Sequence, residues 1–315
     1  NTATAPTVYF GQDHENNPAA WRVIGYNGNG VTSAQGDMTL LAAGNMSSVL
    51  QFGDFETNNR YASSYLKTAI DALAEKLTTE ENTAVKKRTL TSGSYNGENT
   101  DCVAGEPVDN AVFWPLSTAE AFAVNQDLRI ADPEHPSWAS SYWWLRSPGD
   151  VDYAAAAVRG NGDVSYDGED VLIMLSGVRP AFSLKSSSVL FTSAAVGGKP
   201  VGGLTPISEY TGNEWKLTLN DSDRNGFLVT LRFYSENTVR FDYKGAKTGA
   251  SVLAKHFGSG ITVCDVGVNA DIKEKAVLNR KIAYGTQNIA SGPAMTREQA
   301  VTAILKLMGY KMTDL

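Results

Sequence analysis

Residues 140–184 read SSYWWLRSPGDVDYAAAAVRGNGDVSYDGEDVLIMLSGVRPAFSL, and no other stretch constrains the fold as tightly. Short apolar runs are cut by Asn161-Gly162 and Asp167-Gly168, dipeptides that supply the positive φ of two-residue hairpin turns. A long helix is excluded there. The pattern predicts strands at 153–159, 163–166, 171–175 and 178–184, joined as an antiparallel set. The alanines at 154–157 would let one strand lie close beneath Trp143 and Trp144.

Helical spacing is confined to fewer places. Leu66, Ile70, Leu73 and Leu77 recur every third or fourth residue, which predicts an amphipathic helix over 61–77. Thr78-x-x-Glu81 and Ser117-x-x-Glu120 are capping boxes, each opening a short helix. Strands are expected at 7–10, 21–26 and 40–42, with a turn at Asn27-Gly28 and an irregular stretch over 91–110. Strands with a few helices on one side give an α+β class. Trp21, Trp114, Trp143 and Trp144 are expected in the core. Arg146 and Arg179, set in apolar strand contexts, read as buried structural arginines paired with carboxylates or carbonyls.

A chain of 315 residues suggests two domains, and 42% hydrophobic residues suffice for a packed core. A net charge of −7 argues against a nucleic-acid partner, because neutralising phosphates needs clustered Lys and Arg. The basic run Lys86-Lys87-Arg88 reads as a helix end. No apolar run is long enough for a membrane span. Two cysteines, Cys102 and Cys264, and three dispersed histidines, His14, His135 and His256, give no disulfide framework and no zinc spacing. The first residue, Asn1, suits a processed terminus, with a removed secretion signal as one origin and simple trimming as the other.

Several motifs fall in order in the first part of the chain: Tyr9-Phe10-Gly11, Trp21-Arg22-Val23-Ile24, Asn59-Arg60-Tyr61, Ser64-Tyr65-Leu66, Trp144-Leu145-Arg146-Ser147-Pro148-Gly149 and Gly177-Val178-Arg179-Pro180-Ala181-Phe182. Together they resemble a domain common in secreted proteins of gut anaerobes. That domain is in turn similar to the C-type-lectin-like fold of formylglycine-generating enzymes and of retroelement-diversified variable proteins. The resemblance implies a rigid scaffold that displays side chains on its terminal strands and loops, at an extracellular or cell-surface location. The enzymatic relatives use a reactive cysteine pair. Only Cys102 lies in this part, so oxidase chemistry is not expected and no catalytic residue is assigned.

A ligand-reading surface wants rigid aromatics and short adaptable polar groups. The residues expected to form one are Asp150, Asp152, Tyr153, Arg159, Asn161, Asp163, Tyr166, Asp167, Glu169 and Asp170, with an unidentified protein or glycan as partner. The plain alternative is that each is a solvated turn residue. Oxygen-rich clusters also suit Ca²⁺. No Asp-x-Asp-x-Asp-Gly loop is present, so neither a metal nor another cofactor is expected.

From Lys247 the wording changes. Cys264-Asp265-Val266-Gly267-Val268, Asn279-Arg280-Lys281-Ile282-Ala283-Tyr284-Gly285-Thr286 and Gly292-Pro293-Ala294-Met295-Thr296 resemble an internal part of nicotinate-nucleotide–dimethylbenzimidazole phosphoribosyltransferase. A helix over 251–257, a buried strand over 261–266 and a final helix capped by Thr296-x-x-Gln299 are expected there. In that family a glutamate general base and a glycine-rich phosphate loop lie downstream of the matched part, so the resemblance implies an incomplete site.

The expected organisation is therefore a C-type-lectin-like domain over 1–191, a Gly/Pro/Ser-rich linker over 192–206, partial β-sandwich-like strands over 207–245 and an α/β fragment over 246–315. The chain reads as chimeric, joined near 246–250. The expected function is ligand binding without turnover on the front scaffold. The alternative is phosphoribosyl transfer through the tail.

Overall fold

Side-chain caps set the helix starts. Ser64 Oγ accepts from Lys67 N at 3.0 Å and opens α1 (Tyr65–Ala74), which buries Leu66, Ile70 and Leu73. The helix expected over 61–77 is thus shorter: a separate 3-10 turn, Tyr61–Ser63, precedes it, and Leu77 lies beyond its end. Both capping boxes form as the spacing predicts. The Thr78 and Ser117 hydroxyls accept from Glu81 N and Glu120 N, each at 3.2 Å. The two glutamates accept in return from the cap amides, each at 2.9 Å. They open α2 (Thr79–Ala84) and α3 (Thr118–Ala123), and a single turn, α4 (Gln126–Arg129), follows.

This computed structural model describes residues 5–54, 59–91, 107–131, 141–174, 176–200 and 210–220, with the backbone of short strands within 228–283. The chain divides into two units. One comprises Asn1–Phe191, Ala195–Gly198 and Gly212–Leu219; the other comprises Thr192–Ala194, Lys199–Thr211 and Asn220–Leu315.

The first unit is a mixed α+β structure dominated by two sheets. The larger contains β1 (Thr7–Gln12), β2 (Pro18–Tyr26), β4 (Asp37–Ala42), β11 (Ala181–Lys185), β12 (Val189–Val196) and β14 (Glu214–Leu219), in the order β11-β4-β2-β1-β14-β12. The short β3 (Asn29–Gly30) extends β2 through the turn expected at Asn27-Gly28. The smaller contains β7 (Tyr142–Pro148), β8 (Ala154–Val158), β9 (Val164–Asp170) and β10 (Ser176–Gly177), in the order β10-β7-β8-β9. β5 (Arg88–Leu90) and β6 (Val108–Ala111) form an antiparallel pair, so the stretch expected to be irregular over 91–110 ends in a strand.

One continuous core joins both sheets to α1. It includes Phe10, Trp21, Leu41, Leu66, Ile70, Trp144, Ala156 and Phe182. Trp21, Trp114, Trp143 and Trp144 are all fully buried, as expected. Three of their indole N–H groups donate to backbone carbonyls: Trp21 to Phe10 at 2.7 Å, Trp143 to Arg129 at 3.0 Å and Trp144 to Leu50 at 2.9 Å. The ring of Phe182 stacks on Phe10 at 4.9 Å and meets Trp21 edge-on at 4.6 Å; such pairs add about 0.5–1.5 kcal/mol each beyond area burial. The alanines of β8 run alongside the tryptophans, with Ala157 paired to Trp144 and Val158 to Trp143.

Several further sequence expectations need correction. Of the strand expected over 171–175, the described residues 171–174 form a turn, and β11 leaves the smaller sheet to pair with β4. The segment therefore crosses between sheets and does not close an antiparallel set. Asp167-Gly168 is no hairpin turn: it lies inside β9, where the ladder shifts between Ala155 and Ala157 and Gly168 takes φ +98°. A bulge needs the same left-handed backbone as a tight turn, so the dipeptide signals either.

The stretch expected as a linker over 192–206 continues β12 to Val196, turns at Gly197-Gly198 and enters β13 (Lys199–Pro200). The first of the sandwich-like strands, β14, pairs parallel with β1 and completes the larger sheet.

The second unit contains β13, β15 (Leu228–Ser235), β16 (Thr238–Lys244), β17 (Ala276–Val277) and β18 (Ile282–Ala283). β15 and β16 form an antiparallel hairpin, and β17 and β18 both pair antiparallel with β16. The helix expected over 251–257, the strand over 261–266 and the helix after Thr296 lie outside the described residues. Among the described residues no helix is long and apolar enough to cross a membrane.

Candidate functional site

The β8–β9 hairpin carries seven of the ten residues expected to read a ligand, and Asp150, Asp152 and Tyr153 lie in the connection that leads into it. Its turn forms at Asn161-Gly162, as the dipeptide predicts, with Gly162 N donating to Arg159 O at 2.8 Å. Asn161 Nδ2 donates to Asp163 Oδ2 at 2.6 Å, Asp163 N donates to Asn161 Oδ1 at 3.1 Å, and Gln126 Nε2 donates to Asp163 Oδ1 at 2.9 Å. Arg159 reaches Glu169 Oε1 at 3.2 Å and Ser165 Oγ at 3.1 Å, and Ser165 itself donates to Glu169 at 3.0 Å.

The remaining members lie toward the other end of the hairpin. Asp150 N donates to Asp167 O at 2.8 Å, Asp152 O accepts from Asn59 N at 3.0 Å, and Asp170 Oδ1 accepts from Leu172 N at 2.9 Å. Tyr153 and Tyr166 are exposed at 53% and 47%.

The structure thus places the expected residues on the β8–β9 hairpin and the adjoining β7–β8 connection, which carries Asp150, Asp152 and Tyr153, but not at one point. Ala154 pairs with Asp170 and Val158 with Val164, so the two ends of the ladder are about 13 Å apart at the usual strand rise. The side chains of Arg159, Asn161, Asp163, Glu169 and Asp170 are engaged with one another, with neighbouring side chains or with backbone. Among the described residues no His, Cys, Asp or Glu group is arranged to hold a metal ion.

The strongest electrostatics are buried elsewhere. Arg146 donates to Pro115 O and Thr91 O, both at 2.8 Å, and pairs with Glu120. Arg88 reaches the other Glu120 oxygen at 3.2 Å and lies over the Trp114 ring at 4.7 Å. Arg88 is therefore part of a buried network rather than helix-end decoration. Burial alone would raise the Glu120 carboxyl. The Arg146 charge and hydrogen bond, with the Ser117 amide and Arg88, outweigh it and hold the group below the ordinary range.

Arg179 is fully buried and donates to the carbonyls of Ala42 (2.8 Å), Ala43 (3.2 Å), Leu128 (2.8 Å) and Arg129 (2.5 Å). It sits where the chain passes from β10 to β11, and so ties the two sheets together. Just before it, a side chain at Gly177 would meet Asn45 Nδ2 at 2.3 Å, so only glycine fits. The signature arginines are structural, as expected. Glu120, the partner of Arg146 and Arg88, was legible only as a cap: position N3 of a capping box points a carboxylate back toward the preceding loop.

Comparison with known proteins divides the chain differently. Residues 236–313 match the phosphoribosyltransferase family model, and residues 36–186 match that of a domain of unknown function, DUF6273. Nicotinate-nucleotide–dimethylbenzimidazole phosphoribosyltransferase of Clostridium tetani is 53% identical over 57 residues, 18% of this chain and 16% of the relative. The enzyme of the same name from Ruminiclostridium cellulolyticum is 54% identical over 57 residues, again 18% and 16%. That of Geobacter metallireducens is 45% identical over 123 residues, 34% of this chain and 35% of the relative. The chain thus spans between 16% and 35% of the length of these relatives. No solved structure is a significant match.

These findings overturn the expectation of a lectin-like binding function. The phosphoribosyltransferase matches fall at the C-terminal end, the front matches a domain of unknown function, and nothing among the matches supports a lectin-like ligand-binding role. The phosphoribosyltransferase match also begins at residue 236, upstream of the join expected near 246–250. The motifs built on Cys264, Asn279 and Gly292 fall within the matched span; of them, only the backbone of Ile282-Ala283 belongs to the described residues.

Proposed function

We propose that this chain acts in phosphoribosyl transfer through residues 236–313, with nicotinate nucleotide as donor and dimethylbenzimidazole as acceptor. The observation that carries the reading is the agreement of the family match with the relatives named for that reaction, at 45% to 54% identity. In such a transfer a benzimidazole nitrogen bonds to the anomeric carbon of the ribose, the bond from that carbon to nicotinate breaks, and the acceptor's ring proton passes to a base.

The test is incubation of the full chain with nicotinate mononucleotide and dimethylbenzimidazole, followed by chromatography. Ribotide and free nicotinate should appear in equal amounts. No product, under conditions where the Clostridium tetani enzyme turns over, defeats the proposal.

For the first unit we propose, as a fold and nothing more, the C-type-lectin-like architecture that its signature resembles. What supports it is the position of Gly177-Val178-Arg179 at the crossing between the two sheets.

A further inference from the structure

We infer that a groove in the first unit binds a small zwitterion with an apolar side chain, an α-amino acid such as leucine. The groove offers about 260 Å³ where the end of β1 meets β14 and the turn between α1 and α2. Sites for drug-sized ligands run to roughly 300–1,000 Å³, so this one suits a smaller molecule. Tyr9, Pro18 and Leu217 supply apolar surface, and Lys76 and Glu81 both line the groove.

The two capping boxes differ in what surrounds them. Their local form is the same, yet Glu120 is closed off by Arg146 and Arg88, whereas Glu81 accepts only from amides. These are Thr78 N at 2.9 Å and Gly11 N at 3.2 Å. A bulge frees the second of them: the β1–β2 ladder shifts between Tyr9 and Gln12, and Gly11 takes φ +65° there. Lys76 Nζ donates to His14 O and to Asn16 Oδ1, both at 2.8 Å. All four partners are neutral, and among the described residues neither Lys76 nor Glu81 forms an ion pair. Opposite charges thus line one groove without pairing.

Both groups keep bonding capacity. An ammonium has three donors, of which Lys76 spends two; an ionised carboxylate has about four acceptor sites, of which Glu81 spends two. Groups already ordered cost less to use in binding. Charge then selects the occupant. Lys216 also lines the groove but is already engaged, so it does not enter the balance. One positive and one negative group remain. A simple anion leaves Glu81 unanswered, and a simple cation leaves Lys76 unanswered. A molecule carrying a carboxylate and an ammonium answers both, with its side chain against Tyr9, Pro18 and Leu217.

The experiment is ligand-observed saturation-transfer NMR on the full chain. The probes are leucine, 4-methylpentanoate, which lacks the ammonium, and 3-methylbutylamine, which lacks the carboxylate. Leucine should bind with a dissociation constant of about 1 mM, the scale expected for a ligand of that size. Each truncated probe should bind at least about fivefold more weakly. Lys76→Met and Glu81→Gln should each weaken leucine about fivefold or more, with the circular dichroism spectrum unchanged. Glutamine still closes a capping box, so Glu81→Gln guards against loosening of the His14–Asn16 loop in Lys76→Met. Equal binding of the three probes, no leucine signal at about 10 mM, or indifference of leucine to both substitutions overturns the inference.

Discussion

In the first unit, what defines the molecule is burial: tryptophans tied to carbonyls, a guanidinium bridging two sheets, and a carboxylate held between two arginines. In residues 236–313, what defines it is an ordered set of words shared with enzymes of one reaction. The first unit's signature, Trp144-Leu145-Arg146-Ser147-Pro148-Gly149 with Gly177-Val178-Arg179, is almost entirely consumed by packing. Its likeness to other proteins therefore reports a fold and leaves activity open. The lesson is to ask of each signature residue whether its polar atoms are already spent.

If that contrast is right, the largest effects on the first unit come from its buried charges. Arg146→Ala strands Glu120 beside Arg88 and leaves the carbonyls of Thr91 and Pro115 without their donor. Removing one partner of a buried ion pair costs about 3–5 kcal/mol. Urea unfolding followed by tryptophan fluorescence should show a loss of that size, and a loss below about 1 kcal/mol would mean the network is ornamental.

Leu217→Ala comes next, at about 2–3 kcal/mol, because Leu217 is 8% exposed in β14 and packs into the core of the first unit. An unchanged unfolding midpoint would return β14 to the downstream piece.

Acidity sharpens the same comparison. The folded Glu120 carboxyl lies below its ordinary value, so its contribution is present above the unfolded pKa of about 4.3 and is lost as pH falls through the lower folded value. Glu120→Gln should remove that portion of the acid dependence, measured as the slope of stability against pH below about 4. Parallel slopes in the two proteins would contradict the assignment.

Much of the first unit was legible because its signals are local. A capping box, an Asn-Gly turn and a run of alanines each state their geometry within a few residues, and Thr78, Ser117, Asn161 and Ala157 behave accordingly. Partnership across the chain was not legible. β14 pairs with β1 from about 200 residues away, and β11 turns from one sheet to the other, and no local pattern states either fact. The engagement of the candidate residues was not legible for a related reason. Residue types showed that polar groups gather on 150–170, but only geometry shows that Asp163, Arg159, Glu169 and Asp170 are already engaged.

The smallest effects belong on that hairpin. Arg159 and Glu169 are 51% and 28% exposed and meet at 3.2 Å, a pair in which water screens most of the attraction and two long side chains give up rotamer freedom. Arg159→Ala should therefore change stability by no more than about 0.5–1 kcal/mol, and Tyr166→Ala by about 0.5 kcal/mol or less. Ribotide formation by the full chain should be unchanged in both, since neither residue lies in the matched segment. A fall in turnover with stability intact would mean that the hairpin contributes to the chemistry, and the separation of packing from activity drawn between the two regions would fail at that point.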